Sequence, residues 1–408
     1  MRCYSLSALA VVAACTSISV SAADAASSAF SAPELKMLFR YRLEAVDQDG
    51  LAENALASTL LSRFSLTQKF SSGWSAGGEF DYVAALGDKN YNDSINGKTA
   101  YPVVADPAGA DLNQAFVMYQ SDSQSQTLKI GRQRINLANE RFVGGVGWRQ
   151  NEQTFDAVRY QASLSSELKL DYSYSSKVNR VFGSKSPQGD WSSDLHLLDL
   201  RYQPNANHQL GAFVYQMEFD DAPLVSNQTL GLDYQYSQAL SQSSRYTLYG
   251  SYALQQDAGD NPNSYDADYW TVEANLWLGA WQSGVGVEVL GSDNNSGNAI
   301  GFSTPLATLH KFQGFADKFL ATPAHGIEDK YLKLGYKLEQ LELMAFYHWL
   351  DAAEAGIDGT ADYGKELDLQ LSYNLNTQHA VLLKYADYQA NSLHTDTSKF
   401  WLQWLAKY

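Results

Sequence analysis

From residue 35 onward the chain alternates apolar and polar positions with a period of two. In the first segment Leu35, Met37, Phe39, Tyr41 and Leu43 share one face, while Lys36, Arg40, Arg42 and Glu44 share the other. Successive side chains of a strand point to opposite faces, so this pattern predicts a strand with one apolar and one charged side. The pattern recurs with Leu168, Leu170, Tyr172 and Tyr174 against Lys169, Asp171, Ser173 and Ser175, and with Leu367, Leu369, Leu371 and Tyr373 against Glu366, Asp368, Gln370 and Ser372. It predicts strands near 35–46, 55–69, 73–86, 112–120, 126–135, 153–163, 167–178, 194–203 and 208–218. The rest fall near 228–238, 244–256, 266–279, 281–291, 329–338, 340–351, 363–374, 379–390 and 398–408.

The connections alternate in length. Short turns such as Phe70–Ser72, Leu164–Ser166 and Glu339 alternate with longer loops, the longest being Gly87–Asp111, Asn136–Glu152 and Ser292–Glu328. Both ends of the strand array fall on the short-turn side. The last segment alternates Phe400, Leu402, Trp404, Ala406 and Tyr408 to the final residue. A soluble β-sandwich or β-helix would leave that strand as an apolar edge prone to aggregation. The pattern therefore predicts an all-β fold: a transmembrane antiparallel β-barrel of about eighteen strands, with short periplasmic turns and long extracellular loops.

Composition agrees with a β protein: the 408 residues include 26 Tyr, 17 Phe and 9 Trp against 9 Pro. The net charge of −16 argues against nucleic acid as a partner. Arg2, the apolar run Leu6–Ala14 and the small residues Ser19–Ala25 read as a secretory signal over residues 1–25, with cleavage expected after Ala22 or Ala25. The apolar run is shorter than the roughly 20 residues of a spanning helix. A lipoprotein site at Val12–Cys15 is a competing reading of the same segment. Both cysteines, Cys3 and Cys15, lie within it, so the barrel of residues 26–408 carries no thiol, no disulfide and no Cys-ligated metal. No phosphate loop, HExxH or GxSxG pattern occurs. Asp47–Gly50 resembles the start of a calcium loop but lacks the distal Glu, so an Asp-Gly hairpin tip is expected there and no metal or other cofactor.

Charge is unevenly distributed. Arg40, Arg42, Arg63, Arg132, Arg134, Arg141, Arg149 and Arg159 all fall in the first six strands and their loops, and past Arg245 there are none. Arg40, Arg42, Arg63 and Arg159 have inward parity. Acids mark inward positions on the later wall: Asp199, Asp233, Glu273, Glu288, Glu342, Glu366 and Asp368. One reading is a track for a carboxylate-bearing solute, because guanidinium stays charged and grips carboxylates bidentately. The other is that the arginines pair with inward acids such as Glu44, Glu79 and Asp81 and fill the lumen.

The runs Tyr101–Pro107 (YPVVADP), Leu112–Ala115 (LNQA), Gly131–Ile135 (GRQRI), Arg141–Ala157 (RFVGGVGWRQNEQTFDA) and Thr304–Pro323 (TPLATLHKFQGFADKFLATP) resemble the alginate-export family of outer-membrane barrels. The resemblance spans the chain after the signal. It implies an eighteen-stranded monomeric barrel with an arginine-rich constriction, in which Arg40, Arg42, Arg63, Arg132, Arg134 and Arg159 line the pore. It further implies a loop with Asn139, Arg141, Trp148, Arg149, Asn151 and Glu152 that folds inward, joined by Lys311, Asp317 and Lys318 of the long seventh loop.

The expected function is an outer-membrane porin passing anionic sugars, uronate oligosaccharides or organic acids, with Asp233, Glu273, Glu288, Glu342 and Glu366 on the opposing wall. The alternative is a secretion pore for an anionic exopolysaccharide. A barrel enzyme using His196, His310, His325 or His348 as a base, and a purely structural anchor with a plugged lumen, are the further rivals. No catalytic residue is expected. The expected surroundings are a Gram-negative outer membrane, with its lipid and lipopolysaccharide.

Overall fold

A computed structural model describes residues 31–294, 299–356 and 361–408, so the expected signal segment 1–25 lies outside the described residues. Eighteen antiparallel strands form one sheet that closes on itself. They are β1 (Glu34–Gln48), β2 (Ala55–Lys69), β3 (Trp74–Ala85), β4 (Gly109–Gln120), β5 (Gln126–Gln133), β6 (Thr154–Ser163), β7 (Leu168–Asn179), β8 (Asp190–Tyr202) and β9 (His208–Phe219). The second half comprises β10 (Asn227–Ala239), β11 (Ser244–Asp257), β12 (Asp266–Leu278), β13 (Trp281–Leu290), β14 (Ile327–Leu338), β15 (Leu341–Asp351), β16 (Asp362–Asn374), β17 (His379–Ala390) and β18 (Thr397–Lys407). Each strand pairs with its chain neighbours, and β1 also pairs with β18, with Arg42 opposite Gln403. A closed sheet has no edge, so no row of backbone groups is left unpaired along the wall.

Every predicted strand is present, and connection lengths alternate as expected. Turns at one end are two to five residues long, and loops at the other run from six residues to the thirty-six of 291–326. The largest boundary differences are at β4 and β8, which begin at Gly109 and Asp190 instead of 112 and 194. The cause is a register shift beside each. One lies opposite Glu79/Phe80, where Asn113 and Gln114 are both buried, and one lies between Ser175 and Lys177. An extra residue breaks the period-two pattern from which strands are read.

The faces are inverted relative to a soluble protein. Leu230, Leu232, Leu332, Leu334, Val272 and Val285 are exposed on the outside, while Arg42, Glu44, Asp81 and Asp368 are buried inside. In water so continuous an apolar belt would be an association hazard; in a bilayer it is the solvent-matched surface. Near the short turns the belt is rimmed by aromatic pairs: Trp74 with Tyr119, Trp281 with Tyr336, and His379 stacked on Trp404. Such rings favour the boundary between hydrocarbon and water. Asp49-Gly50 forms a turn directly after β1, with Gly50 at φ 86°.

The long-loop half of the lumen is filled. Loop 134–153 and the 302–319 part of loop 291–326 fold inward and join through a parallel bridge between Val143 and Leu306. Phe142, Phe302, Leu306 and Phe319 from these loops pack against Phe213, Tyr215, Tyr269, Tyr363, Tyr388 and Trp401 of the wall, forming a core inside the barrel. The 86–108 loop adds a smaller cluster, Tyr91 and Val104 against Val46, Ala55 and Ala57.

Candidate functional site

The inward arginines of β1 hold the plug. Arg40 donates from Nε to Gln150 Oε1 (2.9 Å) and from Nη1 to the Gly147 carbonyl (2.7 Å), and from Nη2 to the Arg149 carbonyl. Its partners are neutral oxygens. Arg42 donates to Gln403 Oε1 (2.7 Å), lies 3.6 Å from Asp106 and sits 4.0 Å above the Trp148 ring.

The next arginines carry ion pairs. Arg63 grips Asp81 through two hydrogen bonds (2.8 and 2.6 Å) and reaches Glu152 at 2.8 Å. Arg134 bonds Glu79 and Glu152. Arg159 is bidentate on Asp171, through Nε at 2.9 Å and Nη2 at 2.5 Å. Burial raises the Glu152 carboxyl, but the guanidiniums of Arg63 and Arg134 outweigh it and hold the group down to about 2. Arg134 and Arg159 keep part of their side chains open to the lumen, 27% and 14%.

Arg132 departs from the pore-lining expectation. It stands directly opposite Asp156 (2.7 Å) and alternates with Gln133, sharing the face of Ile130 and Val158, which are exposed on the outside. With Asn179 on Asp156 (3.1 Å) and Lys177 on Asp190 (2.9 Å), it forms a polar patch near the long-loop rim.

The inward loops meet at Asp317. Its carboxylate accepts from Arg149 Nη2 (3.0 Å), Lys399 Nζ (3.2 Å) and His310 Nδ1 (2.7 Å). Arg149 also reaches Glu44 at 3.2 Å. Burial works against the Asp317 charge, but Lys399, His310 and Arg149 hold its carboxyl well below the usual range. Burial and the nearby Lys384 push His310 down to about 3. The neutral ring accepts from Lys384 Nζ (2.7 Å) at Nε2 and stacks 4.2 Å from Trp148. Arg141 reaches across the lumen to Glu288 (2.9 Å) with Phe312 beneath its guanidinium. Lys311 pairs with Glu140 (2.7 Å), and Lys318 donates to Thr397 (2.9 Å).

The expected acidic wall also carries cations. Asp233 pairs with Arg201 (2.6 Å), Glu273 with Lys333 (2.9 Å) and Glu342 with Lys337 (3.5 Å). Glu366 and Asp368 are fully buried and take the backbone N–H groups of Ala316 (2.6 Å) and Phe315 (2.9 Å). Sequence reasoning missed Asp106, Lys384 and Lys399. Inward parity flags the two lysines, which alternate with outward Tyr385 and Phe400; nothing in the sequence joins Asp106 to Arg42.

Two lumen cavities border the tip of the 134–153 loop. One, of about 470 Å³, is lined by Arg159, Lys169, Arg201, Asp171 and Asp199 and reaches the short turn at Gln124–Ser125. The other, of about 230 Å³, lies against β11–β15. Among the described residues no cluster of His, Cys, Asp and Glu is arranged to hold a metal ion.

The model of the alginate-export family matches residues 34–286, more than half of the chain. No curated protein matches by sequence. OccAB4 of Acinetobacter baumannii superimposes with a TM-score of 0.71 at 15% identity, covering 93% of this chain and 99% of that one. OpdK of Pseudomonas aeruginosa, described as an outer membrane protein, gives 0.71 at 12% identity over 92% and 98%. A structure of OpdK with vanillate gives 0.69 at 12% over the same shares. These identities speak to a common fold.

Proposed function

The chain belongs to the alginate-export family of outer-membrane β-barrels, and from that premise we propose that it is a monomeric porin-like channel for carboxylate-bearing solutes: anionic sugars, uronate oligosaccharides or organic acids. One observation carries the reading. Inward cations recur across neighbouring walls, with Arg63, Arg134 and Arg159 leading to the cavity bordered by Arg159, Lys169 and Arg201. Each guanidinium already holds a carboxylate of the protein. A guanidinium carries five N–H donors and can hold a second carboxylate, so a solute carboxylate can add at the part of Arg134 and Arg159 that stays open to the lumen without displacing the protein's own. Arg40, Arg42, Arg141 and Arg149 hold the plug, and the partly open Arg134 and Arg159 meet the solute.

Planar-bilayer recording tests this. The expected result is anion selectivity, reduced by Arg63→Ala and Arg159→Ala, with glucuronate or benzoate blocking the current. Zero conductance, or cation selectivity indifferent to both substitutions, would sink the reading. Export of an anionic polysaccharide is the second reading, favoured by the matched family's description. A gene neighbourhood without a polymer synthase counts against it.

A further inference from the structure

The two lumen cavities differ in chemistry. None of the residues lining the 470 Å³ cavity is aromatic. The 230 Å³ cavity gathers Tyr249, Tyr331 and Phe346 from the wall and Phe312 and Phe315 from the 291–326 loop, all half-buried. Half-exposed rings converging in a polar lumen leave apolar faces wet, a cost that a ring-shaped ligand would relieve.

The backbone is shaped for this display. Tyr331 stands directly opposite Gly286, where a Cβ would lie 2.3 Å from the tyrosine ring. The glycine thus lets Tyr331 lie against the wall and border the cavity. Phe315 closes the other side, edge-on to Phe346 at 5.7 Å.

The polar groups between the rings are balanced in charge. Glu273 sits beside Lys333, Glu288 beside Arg141, and Asp329 beside His348. Asn139 and Gln313 add amides. A bare carboxylate ligand would meet three carboxylates there, so the cavity does not suit an anion. Hydroxyl groups both donate and accept, and can use carboxylate, amide and ammonium neighbours together. The apolar C–H face of a pyranose lies flat on an aromatic ring. Pockets for drug-sized ligands run to roughly 300–1,000 Å³, so this smaller volume suits a single ring.

We propose that the cavity between β11–β15 and the 291–326 loop is a subsite for one uncharged hydroxylated ring, a hexose unit, placed beside the charged cavity across the loop tip. Asn136–Ala138 border the charged cavity and Asn139 borders the aromatic one, so a solute carrying both a carboxylate and a sugar ring reaches both. The inference rests on the channel reading only for how the ligand arrives.

Saturation-transfer NMR on the detergent-solubilised barrel tests it, with methyl α-glucoside as probe and benzoate as comparison. Binding of the glucoside is expected, weakened about three- to tenfold by Tyr249→Ala and by Phe312→Ala, the worth of one ring contact. Circular dichroism of both variants checks that the barrel is intact. Absence of glucoside binding overturns the proposal. So does binding that neither substitution changes, or benzoate binding at these residues without the glucoside. Bilayer conductance is read separately: an anion-selective channel that binds no glucoside fails this inference and leaves the channel reading standing, while glucoside binding without conductance does the reverse.

Discussion

The Arg149 guanidinium lies 3.0 Å from the Asp317 carboxylate, joining two loops inside the barrel through residues 168 positions apart in sequence. Lys399 of β18 and His310 share the same carboxylate, so one side chain ties both loops to the wall. Removing one member of a buried ion pair costs about 3–5 kcal/mol, because the partner stays buried and uncompensated. We predict that Asp317→Ala unseats the loops while the eighteen strands persist. Single-channel conductance should rise, and electrophoretic heat-shift of the folded barrel should be retained. Wild-type conductance in a folded Asp317→Ala barrel would contradict this.

Acid should loosen the same assembly. His310 is held neutral, with its value pushed to about 3 from 6.5. The released loop takes up a proton below pH 6.5 that the seated loop refuses until about pH 3. Seating therefore weakens with falling pH through that window, by up to about 1.4 kcal/mol per unit. Glu152 acts in the same direction but lower: its carboxyl is depressed to about 2, so its contribution is present above about 4.5 and is lost as pH falls towards 2. Burial, Lys384 and Arg149 oppose a further proton on the ring, and the Asp317 carboxylate offsets them only in part. Channel currents recorded between pH 7 and 5 should grow or become noisier, and His310→Phe should flatten the response. A flat wild-type response would remove the basis of this prediction.

The wall was legible because lipid enforces a strict alternation. Leu230 and Leu232 must face out, and that parity sends Asp233 in. The inward positions of Arg42, Arg63 and Arg159 followed from the same rule. The bulge opposite Asp156–Ala157 was not legible, because an inserted residue leaves no composition signal, whereas Arg132 shares the parity of Leu128 and Ile130 and was placed in the pore by the family resemblance alone. Inward folding of Trp148 and Arg149 was expected from the family motifs. Their partners were not, since Asp106–Arg42 and Asp317–Lys399 exist only once the barrel has closed. Lys311 shows the limit of motif reasoning: it lies in the inward loop, yet its side chain is 48% exposed.

The outer belt can be tested independently of transport. Leu232 on β10 is 64% exposed on the lipid side. Leu232→Arg should cost about 2–4 kcal/mol at mid-bilayer, whereas Gln256→Arg, towards the long-loop rim, should cost about 0–1. Urea titration of folding into phospholipid vesicles measures both. Equal costs would mean that the membrane band is misplaced.

At Gly314 the plug passes close against the wall. The glycine φ is +88°, and an added Cβ would lie 2.4 Å from the Glu366 carboxyl carbon. The next two residues give their N–H groups to Asp368 and Glu366, so the backbone must pass this close for both bonds to form. An alanine there meets two obstacles. The left-handed conformation costs about 1–2 kcal/mol for a residue with a Cβ, and the clash pushes the loop away from its two acceptors. We predict that Gly314→Ala raises conductance much as Asp317→Ala does. Shortening the neighbour in the double variant Gly314→Ala/Glu366→Ala removes the clash but not the conformational strain. The second substitution should therefore add less than it does alone, a coupling expected of side chains in contact. Strict additivity in conductance and thermal stability would show that the close approach to Glu366 does not hold the loop, and that the backbone conformation alone carries the effect of the alanine.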